Sequence, residues 1–178
     1  MRSPLYAMAL SAIFAALCYI TMLPLIGFYN VFLTLFICFT AGLLLGAGWG
    51  FLTGVIGMFI CSYFNPLGAA LPPIMLAQMI GAGFSGWLGS VAGNRLLGIR
   101  SAVLQYVLMG VLGFFSALVY HLLVDLVDAW LWGPFWVRFQ LGLLSSLMTI
   151  VSNTIIFVVL YPVLKILKRT VQYRRSVV

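Results

Sequence analysis

Apolar positions run through this chain in long uninterrupted stretches, and the few polar positions between them divide it into six segments. The first spans about residues 5 to 27, preceded by Arg2 and followed by a short turn at Gly27-Phe28-Tyr29-Asn30. No charge occurs from Val31 to Phe64. A single helix of that length would measure about 51 Å at 1.5 Å per residue, so the stretch must fold back on itself. Gly46-Ala47-Gly48-Trp49-Gly50 is the cluster soft enough to turn, which predicts two short helices over about 31–46 and 50–64. The next segment, Asn65 to Pro73, is stiffened by Pro66, Pro72 and Pro73 and reads as a structured loop able to act as a lid. A fourth helix over about 74–93 leads to a short basic loop from Asn94 to Arg100. Two long helices, about 102–130 and 136–167, complete the count and are long enough to tilt or to project beyond a bilayer.

Composition turns this pattern into a class. Sixty-five per cent of the residues are hydrophobic and 6% are charged, the balance of a chain that lives in lipid. Roughly 20 apolar residues cross a hydrocarbon core of about 30 Å, so 178 residues hold about six crossings and little else. The expected fold is an all-α integral membrane protein of six transmembrane helices, forming a single membrane domain over residues 1–178. That leaves no room for a soluble domain or a nucleic-acid site. The first segment lacks a small-residue cleavage site and reads as a retained span. Of the nine basic residues, Arg2, Arg95, Arg100, Lys165, Lys168, Arg169, Arg174 and Arg175 fall at segment ends that a six-helix count places on one side. By the positive-inside rule both termini are then cytoplasmic, and Arg138 is the exception.

Lipid also changes the meaning of glycine. Helices in a bilayer are not driven together by apolar burial, so they associate where small residues let backbones approach. Gly42, Gly46, Gly50 and Gly54 recur at every fourth position and predict a packing seam. Ala12 and Ala16, with Ser11 and Ala15 on the adjacent stripe, form a second small-residue surface, for a helix of this chain or of a partner.

The remaining chemistry is sparse. Gly81-Ala82-Gly83-Phe84-Ser85-Gly86 matches a dinucleotide fingerprint, but no strand precedes it, so it reads as helix packing. Gly83-Phe84-Ser85-Gly86 also matches the nucleophile motif of rhomboid-like intramembrane proteases. Ser85 would lie roughly 12 Å from the cytoplasmic end of its helix and His121 roughly 28 Å from that end, too far apart in depth for a nucleophile and its base. His121, Asp125 and Asp128 follow an i, i+4, i+7 progression, so they share one face of the fifth helix. Ionisable groups at membrane depth face a cavity or a partner. Two readings stand: an ion pair with Arg138 across the turn between the last two helices, or contact with a ligand. A metal site is not expected from this set. Trp130, Trp132, Phe135 and Trp136 read either as an interfacial belt or as the wall of a pocket. Asn153, with Ser152 and Thr154, is expected to hydrogen-bond to another helix. Cys18, Cys38 and Cys61 all lie in apolar segments and read as buried thiols.

Taken together, the chain resembles the substrate-binding S components of energy-coupling factor transporters, the prokaryotic importers of vitamins and related micronutrients. The resemblance rests on six spans, Ala12 and Ala16 in the place of the family's AxxxA element, the turn at Gly46 to Gly50, the loop around Asn65-Pro66, and Ser152-Asn153-Thr154 in the last helix. It implies a multi-pass protein of the prokaryotic cell (inner) membrane that is not itself an enzyme. Such a protein captures its ligand on the outer side between the first and third loops and helices four to six. That position implies Tyr29, Asn30, Asn65, Gln78, His121, Asp125, Trp132, Trp136, Arg138 and Gln140 as binding residues. The family presents its Ala12 and Ala16 surface, here flanked by Ser11 and Ala15, to a transmembrane coupling subunit carrying two ATPases. The chain has no Walker motif, so ATP would be used by those partners and no cofactor is expected in this chain. The sequence signatures of the riboflavin, thiamine and biotin members are missing, as is the histidine-bearing amino terminus of the nickel and cobalt members. A carboxylate ligand resembling pantothenate through Arg138, or a cobalamin-like ligand through His121, are the substrate expectations. A solitary porter and an intramembrane serine protease are the alternatives.

Overall fold

Six helices account for nearly all of the chain: α1 Pro4–Leu25, α2 Thr34–Leu45, α3 Ala47–Tyr63, α4 Pro72–Leu97, α5 Ala102–Trp132 and α6 Phe135–Val177. The computed structural model describes residues 4–28 and 31–177, and their side chains except at 94 and 171–177. Among the described residues there is no strand. Four helices, α1, α4, α5 and α6, are long and apolar enough to cross a membrane, while α2 and α3 are shorter apolar helices. Large apolar side chains are exposed along their outer faces, among them Leu5, Ile13, Val103, Leu144 and Val159. A water-soluble surface rarely carries so continuous an apolar patch, and the protein is compatible with a multi-pass membrane protein.

The turn between α2 and α3 is a single residue. Gly46 adopts φ of 104°, a backbone conformation that side chains rarely allow, and α3 restarts at once. The other glycines of the predicted seam serve packing. A Cβ at Gly42 would overlap the Gly86 carbonyl, one at Gly50 would lie 2.7 Å from the same oxygen, and one at Gly54 would strike the backbone at Ala82 and Gly83. The seam therefore lies between the α2–α3 pair and α4, and it is what allows three backbones to meet at near-contact distance. The GxGxxG segment is the α4 side of that seam, with Gly81 against Tyr120 and Gly83 against the Phe51 ring.

Helix α2 is the centre of the bundle. Every residue from Thr34 to Leu43 is buried, the pattern of a helix surrounded by others. Phe36 and Phe39 meet Phe157 of α6 edge-on, with ring centroids 5.3 and 5.2 Å apart. Helix α1 sits at the periphery and buries one stripe, Ala7, Ser11, Ala15 and Cys18. Ser11 Oγ lies 2.6 Å from Thr53 Oγ1, and a Cβ on Gly57 would lie 3.4 Å from the Ala15 Cα. Ser11 and Ala15 thus pack within the chain, which corrects their placement on a partner surface. Ala12 and Ala16 remain exposed, between Met8, Ile13, Leu17 and Ile20.

Candidate functional site

At one end of the bundle, described residues of the α1–α2 and α3–α4 connections border a half-open cavity of about 290 Å³. Its wall comes from Met22 and Leu25 of α1, Thr34 of α2, Met58, Cys61 and Ser62 of α3, Gln78 of α4 and Tyr120 of α5. Its roof is Phe28, Val31 and Phe32 from one loop, and Asn65, Leu67 and Ala70 from the other.

The roof is built by local chemistry. Asn65 Oδ1 accepts from the Leu67 amide at 2.9 Å, and the Asn65 carbonyl accepts from Gly68, whose φ is 115°. That is the side-chain-closed turn for which asparagine and glycine are suited. The Ala70 amide then returns to the Ser62 carbonyl at 3.1 Å, and the Tyr19 hydroxyl ties α1 to the Phe64 carbonyl at the same distance. Pro72 and Pro73 open α4 where their missing amide hydrogens cost nothing.

Inside, the wall is apolar with a few polar groups. Ser62 Oγ donates to Gln78 Oε1 at 2.6 Å, which leaves the Gln78 amide nitrogen with hydrogens to offer. Among the described residues no charged side chain lines the cavity. Of the residues expected to bind a ligand, Asn65 and Gln78 are in its lining. Tyr29 and Asn30 fall between Phe28 and Val31, but lie outside the described residues.

The late helices are arranged otherwise than expected. Trp132, Trp136, Arg138 and Gln140 are exposed and point away from the bundle, and among the described residues none of α6 lines the cavity. Among the described residues no ion pair joins Arg138 to Asp125 or Asp128. The expected pair fails because Asp125 turns inward, against α6, while Arg138 turns outward. A Cβ on Gly142 would lie 3.0 Å from the Asp125 Cγ, so any larger residue there would push the carboxyl outward by a few tenths of an ångström.

What Asp125 meets is Ser146, whose hydroxyl donates to Asp125 Oδ2 at 2.6 Å and lies 2.8 Å from His121 Nδ1. All three side chains are buried, Ser146 completely. The order is acid, hydroxyl, imidazole, so the acid engages the serine and does not orient the histidine as in a hydrolase triad. Ser85 is elsewhere: it donates to the Leu35 carbonyl at 2.8 Å and approaches Ser116 at 3.2 Å, wholly buried. Asn153 donates to the Thr149 carbonyl of its own helix at 3.1 Å, not to another helix. Its Oδ1, Thr149 Oγ1 and His121 Nε2 are buried and have no hydrogen-bond partner among the described residues.

Sequence reading missed Ser146 and Ser62. Gly142, Ser146, Thr149 and Asn153 recur at helical spacing as a small and polar stripe on an otherwise apolar helix, a signal that could have found the first. Ser62 carried no such mark. Among the described residues no three His, Cys, Asp or Glu side chains come together as metal ligands would, and the three cysteines are free and buried. Comparison with known proteins finds no matching family model, no similar curated protein and no similar solved structure.

Proposed function

We propose that this chain is the ligand-capturing subunit of a membrane importer, of the kind represented by the S components of energy-coupling factor transporters. It takes up a small neutral micronutrient into the cavity beneath the two loops. The observation that carries the reading is that cavity: set among the helix ends, bordered by two connections, mostly apolar, and furnished with Thr34, Ser62, Asn65 and Gln78 as hydrogen-bonding groups. Ligand sites have this character, a greasy wall with a few polar groups that fix orientation.

Size and charge narrow the ligand. A volume of about 290 Å³ lies at the small end for ligand pockets, which favours a single heterocycle-sized molecule over a cobalamin. The lack of a charged lining residue among those described favours a neutral molecule over a carboxylate such as pantothenate. A polar amide pair, Gln78 and Asn65, suits a ligand with both a donor and an acceptor edge.

The second half of the reading concerns energy. Helix α1 is the least buried of the four long helices, with 17% of its apolar window inside the bundle. Ala12 and Ala16 on its open face let another helix approach closely, as a transmembrane coupling subunit would require. The ATPases belong to that partner complex, in the cell membrane of a prokaryote, with both termini of this chain on the cytoplasmic side.

The test is a thermal-shift screen of the purified chain in lipid nanodiscs against a panel of vitamins, paired with uptake by cells expressing it with coupling subunits. A neutral vitamin raises the melting temperature of the wild type. Ala12→Trp and Ala16→Trp keep that rise and lose uptake. Uptake that survives both substitutions rules out the coupling surface, and transport by the chain alone in proteoliposomes favours a solitary porter.

A further inference from the structure

Between α5 and α6, apart from the cavity, lies a buried carboxylate with no cationic partner among the described residues. Its neighbourhood is complete enough to follow a proton through it. Serine 146 has one hydroxyl hydrogen and two neighbours, Asp125 Oδ2 at 2.6 Å and His121 Nδ1 at 2.8 Å. With any carboxyl proton on Oδ2, the oxygen that faces the serine, two arrangements of hydrogens make both bonds with a neutral ring. In the first, Asp125 is ionised, Ser146 donates to it, and His121 carries its hydrogen on Nδ1 and donates to Ser146. His121 Nε2 is then a bare acceptor. In the second, Asp125 is protonated and donates to Ser146, Ser146 donates to Nδ1, and the imidazole hydrogen is on Nε2. The two differ by one proton.

We infer that Asp125, Ser146 and His121 form a proton relay across the α5–α6 seam. A proton arriving at His121 Nε2 bonds there, the Nδ1 hydrogen passes to Ser146 Oγ, and the hydroxyl hydrogen passes to Asp125 Oδ2. The serine and the ring end neutral, the carboxylate ends as a carboxylic acid, and His121 has exchanged one tautomer for the other. The reverse sequence returns the proton to Nε2. Both transfers run over hydrogen bonds already in place, so no side chain has to move.

Two independent features support this reading. Nε2, on the far side of the ring from Ser146, is buried and has no partner among the described residues, so no described hydrogen bond there fixes the ring in one tautomer. Gly142 leaves the space that holds Asp125 against α6, since a Cβ there would lie 3.0 Å from the carboxyl carbon. Few other groups compete. On α5 the titratable neighbours are Tyr120, in ring contact with His121 at 5.1 Å, and Asp128 one turn further on. On α6 the cation nearest in sequence is Arg138, which is exposed, and Lys165 lies over Tyr161 near the other end. Helix α2 offers only Cys38, and α4 only Arg95 in its last turn.

His121 is the only histidine, and Asp125 and Asp128 are the only side-chain carboxylates. An Asp128→Asn background therefore makes both ends of the relay unique in a spectrum. The full chain, labelled with nitrogen-15 histidine and carbon-13 aspartate in nanodiscs, is titrated by NMR from alkaline to acidic pH. The relay predicts that the imidazole passes from the Nδ1–H to the Nε2–H tautomer at the same midpoint as the Asp125 carboxyl gains its proton. Ser146→Ala uncouples the two, and Ser146→Thr restores the coupling. An imidazole that keeps one tautomer throughout, or that becomes an imidazolium while Asp125 stays ionised, overturns the proposal in the unsubstituted seam, whether or not the variants fold.

Discussion

Two neighbouring regions of this bundle divide the polar residues between them in opposite ways. The half-open cavity has space, a neutral lining and mobile-hydrogen amides and hydroxyls. The α5–α6 seam has an acid and an imidazole, joined through one serine hydroxyl. Phe32 and Tyr120 stand between them, both in the cavity lining and with Phe32 6.4 Å from the His121 ring. The lesson is that the most reactive residue types mark the seam, while the geometry that can admit a ligand lies with the bland ones. An ionisable group inside an apolar bundle is expensive to bury, and here a serine hydroxyl meets the acid at 2.6 Å.

This contrast can be broken from either side. The largest effect is expected at the seam: Gly142→Leu drives side-chain atoms into the Asp125 carboxyl. Overpacking of this kind costs about 1–3 kcal/mol or more and should show as a lowered melting temperature, with the ligand-induced rise preserved in the folded fraction. In the cavity, Ala70→Trp fills the space beneath the roof. It should abolish the ligand-induced rise while the unliganded protein stays within about 0.5 kcal/mol of wild type. Gln78→Leu removes the acceptor of the Ser62 hydroxyl. A loss of about 1 kcal/mol in stability and roughly tenfold in ligand affinity is expected, read by calorimetry of the same protein. The smallest effect is expected at the exposed late residues: Arg138→Ala and Trp136→Ala should leave ligand affinity unchanged and stability within about 0.5 kcal/mol. A carboxylate ligand held by Arg138 would appear instead as a large loss of affinity.

Much of the architecture was legible from the long apolar stretches and the glycines that interrupt them. The number of helices follows from the length of apolar chain, and the fold-back between α2 and α3 from the glycine cluster that begins at Gly46. The seam glycines were legible as packing, although Gly46 itself turned out to be the hinge. The orientation of each helix was not legible. A surface helix in water announces its inner face by amphipathicity, but here inner and outer faces are equally apolar. Ser11 and Ala12 differ little in sequence terms, yet one meets Thr53 and the other faces outward. Trp132 and Trp136 stayed open between a belt and a pocket wall, and Arg138 between an ion pair and a ligand contact, for the same reason: nothing in the pattern says which side of α5 and α6 meets the bundle. Asn65 and Gln78, which the resemblance implied as binding residues, do line the cavity.

The most direct measurement compares the ligand-induced melting shift of three proteins, wild type, Ala70→Trp and Arg138→Ala, against the same neutral vitamin. The account predicts a shift in the wild type and in Arg138→Ala, and none in Ala70→Trp. A shift that survives in Ala70→Trp and disappears in Arg138→Ala would contradict it and return the ligand to the late helices.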